Sequence, residues 1–147
     1  VCASFSNRIG KQGGVGLMGS WDPERFTVED GMFGFVRLDD GRSMEIQTSF
    51  AINRKEKDVR CVRLYGDKEG AELFPLKIFG EEDGQLYDKE YPFLEMRDWH
   101  IDIDRNFVLS CLGQAELLVT AQQGTYIQKL ICALYQSAET GKPVIFN

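Results

Sequence analysis

A chain of 147 residues with 43% hydrophobic and 27% charged side chains is sized for one ordinary domain and carries enough apolar material for a core. The net charge of -6, with no lysine- or arginine-rich face to interrupt it, argues against a phosphate backbone as partner and excludes nucleic-acid binding from the expected functions. No apolar run approaches the roughly 20 residues of a membrane helix and no signal-peptide pattern is legible, so the expectation is a soluble, cytoplasmic chain.

Residues 1–6, "VCASFS", fit a strand, and the following "NRIGKQGGVGLMGSWDPE" is rich in glycine and turn formers and reads as a loop. The stretch from Arg25 to Ile52 gives two extended runs around Asp39-Asp40-Gly41-Arg42, a short glycine-containing turn of the kind that joins antiparallel strands. In the second run Met44, Ile46, Phe50 and Ile52 alternate with Ser43, Glu45, Gln47 and Ser49, so one face goes to a core and the other stays polar. "DVRCVRLYG" and "AELFPLKIFG" read as two further strands separated by a turn around Gly70, and "GQLYDKEY" as a weaker one. The period then changes. Ile103, Phe107 and Cys111, with Val108 and Leu112, form an apolar stripe on a helix. In the last segment Thr120 and Gln123 make a capping box, Ile127, Leu130, Ile131, Leu134 and Ala138 share a helical face, and Gly141 with Pro143 marks the stop. Strands first and helices last predict an α+β domain: a predominantly antiparallel open sheet with helices packed on one face, residues 1–147 forming one domain.

Several strings have chemical readings. "GVGLMG", Gly14 to Gly19, has the G-x-G-x-x-G spacing of a dinucleotide cradle, with Asp39 about where a ribose-binding acid would stand. The polar "SNRIGKQG" before it is no buried strand, and "SWDPERF" after it leaves no place for the phosphate-binding helix, so no cofactor-binding residue is expected. In "DWHIDIDR", Asp98, His100, Asp102 and Asp104 would share one side of an extended segment as a divalent-metal site; the alternative is a solvated face whose acids sit near a helix start, and no metal site is expected. His100 is the only histidine, which excludes any mechanism that needs two. "NRKEKD" reads as a solvated loop. Cys2, Cys61, Cys111 and Cys132 are spread without a C-x-x-C pair and fit reduced thiols better than a disulfide frame or zinc site.

Three blocks, in order, resemble the Gfo/Idh/MocA oxidoreductases. "FTVEDGMFGFVRLDDGRSMEIQTSF" is similar to their hairpin with an acidic-Gly turn, "LYGDKEGAELFP" to the next strand and glycine turn, and "FVLSCLGQAELLVTAQQGTYIQKLICALYQSAETGKPVIF" to the closing helices, which lead to a short last strand. The resemblance implies the C-terminal substrate-binding and oligomerisation domain of an NAD- or NADP-dependent oxidoreductase acting on a sugar, polyol or related hydroxy compound. Its N-terminal Rossmann domain would precede this chain, an expectation in keeping with an opening Val1. The family's catalytic Lys-Pro and D-x-x-x-H motifs have no counterpart: Lys142-Pro143 belongs to the helix stop, and His100 lacks an aspartate four residues before it. No catalytic residue is therefore carried over, and no cofactor is expected in this fragment. The residues leaving the second hairpin strand, Phe50, Asn53 and Arg54, are the substrate-binding candidates, with Phe50 where a tryptophan is common. The open sheet face implies a homo-oligomer. The other class consistent with the residues is a free-standing α+β binding or oligomerisation module without catalysis.

Overall fold

A computed structural model describes residues 1–16, 19–56, 58–93 and 98–145. In chain order the elements are β1 (Cys2–Ser6), β2 (Gly14–Gly16), β3 (Gly19–Trp21), β4 (Gly31–Arg37), β5 (Ser43–Ser49), β6 (Val62–Tyr65), β7 (Gly70–Leu73), β8 (Lys77–Glu82), β9 (Gln85–Glu90), α1 (Trp99–Cys111) and α2 (Ala121–Thr140). All strand pairs among the described residues are antiparallel, and the class is α+β. The strands divide among three sheets, ordered β1-β4-β5, β2-β3 and β6-β7-β8-β9. The chain separates into two compact units, Val1–Asn53 with Val119–Asn147, and Arg54–Leu118.

In the first unit the predicted hairpin forms with Gly34 opposite Ile46 and Val36 opposite Met44, its turn closed by the Leu38 N–H on the Arg42 carbonyl at 2.8 Å. Period-two alternation sends Met32, Gly34 and Val36 to one side and Phe33 and Phe35 to the other. α2 packs across β1 on the first side, where Val36, Leu130 and Leu134 are buried against Ala3, Phe5, Met32 and Ile46. Burying each of those two leucines contributes about 1.5–3 kcal/mol, which docks the helix on the sheet. Gly34 makes the close approach possible, since a Cβ there would stand 2.9 Å from a Leu134 methyl.

The helix ends follow their sequence signals. Thr120 Oγ1 accepts the Gln123 N–H at 3.2 Å while the Gln123 side chain takes the Thr120 N–H at 2.8 Å, and Gly141, at φ 66°, closes the other end by donating to the Ser137 carbonyl at 2.9 Å. Beyond it Val144 and Val1 exchange backbone hydrogen bonds, each 2.8 Å, so the chain returns to the free edge of β1. The buried face is rotated from the predicted one. Leu130, Ala133, Leu134 and Ser137 are inside, whereas Ile127 is 54% and Ile131 39% exposed. A purely apolar reading misplaces the stripe because Ser137, a polar residue, is a core position with its hydroxyl satisfied.

Two strand expectations change. The glycine-rich segment contains the β2–β3 hairpin and two short 3-10 turns, Gly10–Gln12 and Pro23–Arg25, rather than an unstructured loop. "AELFPLKIFG" is not one strand: β7 and β8 pair with each other on either side of a turn at 74–76, where Pro75 has no N–H to give a ladder. In the second unit β6 to β9 form a meander, and α1 begins at Trp99 with Asp98 as its cap.

Candidate functional site

The glycine string does not build a phosphate cradle. Gly14 pairs with Trp21 and Gly16 with Gly19 in the β2–β3 ladder, so the chain enters a strand where a dinucleotide fold would start a helix. The Trp21 ring lies against Gly14 and Gly16, and its indole N–H donates to the Gly10 carbonyl at 2.7 Å. Leu17 and Met18 of the string lie outside the described residues. The acidic string around His100 is helical from Trp99, with the Asp98 carboxylate accepting the His100 N–H at 3.2 Å, so the strand alternation that would gather four ligands on one side is not formed. Phe146, at the end of the closing motif, and Lys57 of "NRKEKD" lie outside the described residues.

A concavity of about 250 Å³ opens in the first unit beside the core. Its floor is Phe5, Met32 and Leu134, its walls are Phe50 and Ile131, and its polar residues are Glu29, Asp30, Thr48, Ser49 and Tyr135. The floor is a consequence of register: Phe5 stands opposite Met32 on neighbouring strands, and Phe5 meets the Tyr135 ring edge-on at 4.5 Å between centroids. Position 135 lies one residue beyond Leu134 on α2, which turns the phenol to the rim, where its hydroxyl donates to the Glu29 carboxylate. That bond holds the Glu29 carboxyl below its ordinary range and, together with desolvation, raises the Tyr135 phenol above its own.

Next to this pair Asp30 is 2% exposed and hydrogen-bonded to the backbone. One carboxylate oxygen accepts the consecutive N–H groups of Ile9 at 2.8 Å and Gly10 at 2.9 Å, while the Asp30 N–H donates to the Ser6 carbonyl at 2.7 Å. Burying a carboxyl group is costly unless it is hydrogen-bonded, and two backbone donors converge on one of its oxygens here. The Asp30 carbonyl in turn accepts the Ser49 hydroxyl at 2.6 Å, and Ser49 Oγ accepts the N–H groups of Ala51 and Ile52 at 3.1 Å each. The exit of β5 is thus tied through Ser49 and Asp30 to the start of the glycine-rich segment, and Phe50 is held between. Phe26 sits against Phe50 at 6.2 Å between ring centroids and fills the space beside Gly10.

Of the three sequence candidates, Phe50 is a pocket wall, 71% exposed. Asn53 and Arg54 follow as exposed coil, and the division between the two units falls between them. The pocket's own polar residues Glu29 and Tyr135 were not among the candidates. Their sequence signals are the "ED" before the first hairpin strand and the tyrosine of the closing helix, neither of which carries a chemical role on its own.

No protein-family model matches the chain. It is 37% identical over 144 residues to D-glucoside 3-dehydrogenase of Escherichia coli (strain K12), an alignment covering 98% of this chain. The chain spans 41% of the length of that relative. Nearly the whole chain is therefore homologous to part of a longer dehydrogenase, consistent with the C-terminal domain of a Gfo/Idh/MocA-type oxidoreductase.

Proposed function

We propose that residues 1–147 act as the C-terminal substrate-binding and oligomerisation domain of a cytoplasmic, NAD(P)-dependent oxidoreductase that acts on a sugar. The observation that carries this reading is the match of 98% of the chain to a D-glucoside 3-dehydrogenase, reinforced by three motif blocks in the same order. A nicotinamide bound to the complete protein would supply the hydride chemistry for oxidising a carbinol carbon of the sugar. The glycine string, paired as strands, does not fit a dinucleotide, and both the hydride acceptor and the proton acceptor are assigned to a preceding Rossmann domain. This chain contributes Phe50 as an apolar wall and, in the exposed coil that follows it outside the lining, Asn53 as an amide donor and acceptor and Arg54 as a cationic fork. Four free cysteines agree with a reducing compartment.

The test is an assay of the complete gene product for reduction of NAD or NADP with a panel of glucosides, free sugars and polyols. Sugar-dependent reduction is expected. Asn53→Ala and Arg54→Ala should each lower kcat/KM by about 1–3 kcal/mol of transition-state binding while cofactor affinity stays unchanged. Absence of sugar-dependent reduction with both nucleotides would overturn the reading.

A further inference from the structure

The pocket beside Glu29 combines two chemistries that a packing gap does not need. Its floor and walls are apolar, and one wall, Phe50, is an aromatic ring left largely open to solvent. A purely apolar gap would be expected to close on itself, but Phe50 is restrained from both sides, by the Ser49 bonds to Ala51 and Ile52 and by the Phe26 ring. At the rim a carboxylate and a phenol are already paired. Tyr135 spends its one O–H on Glu29, which leaves lone pairs on both the phenolic oxygen and the carboxylate for hydroxyl donors from outside.

We propose that this pocket is a recognition subsite for a neutral monosaccharide ring, with Phe50 against the ring's C–H face and the Glu29–Tyr135 pair accepting its hydroxyls. The inference rests on the sugar-oxidoreductase reading above and adds Glu29 and Tyr135 to it as binding residues. A pyranose has one apolar face and a rim of hydroxyls, matching an aromatic wall that faces a hydrogen-bonding edge. Size agrees: about 250 Å³ is below the roughly 300–1,000 Å³ of sites for drug-sized ligands and suits a single ring. Charge agrees as well. The lining includes Glu29 and Asp30 and neither lysine nor arginine, which disfavours sugar acids and sugar phosphates and selects a neutral ring.

The 147-residue chain, labelled with nitrogen-15, is titrated with methyl glucoside and separately with glucuronate. Saturable amide shifts centred on Gly31, Thr48 and Phe50 at millimolar methyl glucoside are expected, with weaker binding of glucuronate. Tyr135→Phe keeps the ring on Phe5 and removes only the hydroxyl; it and Glu29→Gln should each weaken binding about tenfold, the worth of one hydrogen bond to a charged partner. No saturable shift into tens of millimolar, shifts centred elsewhere, or equal affinity in both variants would overturn the subsite. The complete gene product separates the two readings: sugar-dependent nucleotide reduction without binding here removes the subsite alone, and binding here without reduction removes the oxidoreductase reading alone.

Discussion

Ser137 on α2 accepts the backbone N–H of Ala3 on β1 at 3.0 Å and donates its own proton to the Lys142 carbonyl at 2.8 Å. One hydroxyl, 1% exposed, therefore pins the helix to the sheet and the helix stop to the helix. The small side chain is required because the helix backbone passes close to β1, and the hydroxyl is required because the Ala3 amide and the Lys142 carbonyl would otherwise be left without this partner. Ser137→Ala should cost about 1–3 kcal/mol, the penalty of unmet polar groups rather than of lost volume. Urea denaturation of the 147-residue chain measures it; a change within a few tenths of a kcal/mol would show that water replaces the hydroxyl without loss.

Gly10 shows the same dependence on space. A Cβ at this position would fall 2.1 Å from the nearest carbon of the Phe26 ring, far inside van der Waals contact. Gly10→Ala should expel Phe26, cost about 1–3 kcal/mol as an overpacked site does, and end the Phe26–Phe50 contact. Cross-relaxation between the two rings by nuclear magnetic resonance reads the contact directly. Its persistence in the variant would mean that the backbone shifts instead and the ring stays.

What the sequence reveals and what it hides divide along chain distance. The β4–β5 hairpin, the Thr120–Gln123 capping box and the Gly141 stop are local: each signal lies within a few residues of the structure it makes, and each is legible in the string. The rotation of α2 is not, because the choice between Ile131 and Ser137 as a core position depends on β1, and Ser137 reaches Ala3 across 134 residues. The pocket is less legible still. Glu29 and Tyr135 are 106 residues apart, and neither has a neighbour that marks it as chemical. Phe50 is marked only by the resemblance to a family, and what holds it in place, the Ser49 and Asp30 network, is visible only once the strands are laid side by side. The G-x-G-x-x-G string is the converse, a local pattern whose spacing is right and whose surroundings are strands.

Tyr87 on β9 offers a pH test in the second unit. Its hydroxyl donates to the Glu69 carboxylate, and that bond, with desolvation, raises the phenol from an ordinary 10.0 to about 12. A raised value means that the folded state holds the proton more tightly, so the contribution to stability is fully present below pH 10.0 and is lost as pH rises through about 12. The group is solvent-facing, and the contribution is correspondingly screened. In an alkaline titration followed by phenolate absorbance, Tyr87→Phe should remove a step near 12. Loss of an earlier step instead would show that the Glu69 bond does not persist in solution.

The remaining sheet face carries the prediction about assembly. α2 covers the side of β4 that bears Val36, while on the other side Phe33 is 48% and Phe35 51% exposed. In register with them stand Ser4 and Gln47 beside Phe33, and Cys2 and Glu45 beside Phe35, so two aromatic rings lie on a patch of small and polar neighbours. Two adjacent rings on a sheet face that no helix among the described residues of this unit covers have the makings of an interface's apolar centre with a polar rim. In the complete gene product this face should bury about 2,000 Å² or more between subunits, the range of obligate contacts. Phe33→Asp with Phe35→Asp should then convert the oligomer to monomer in sedimentation velocity. Urea stability of the isolated 147-residue chain should change little, because the two rings are already in water there. An oligomer that survives the double substitution would place the contact on another surface, and a large loss of stability in the isolated chain would show that the rings are covered from within.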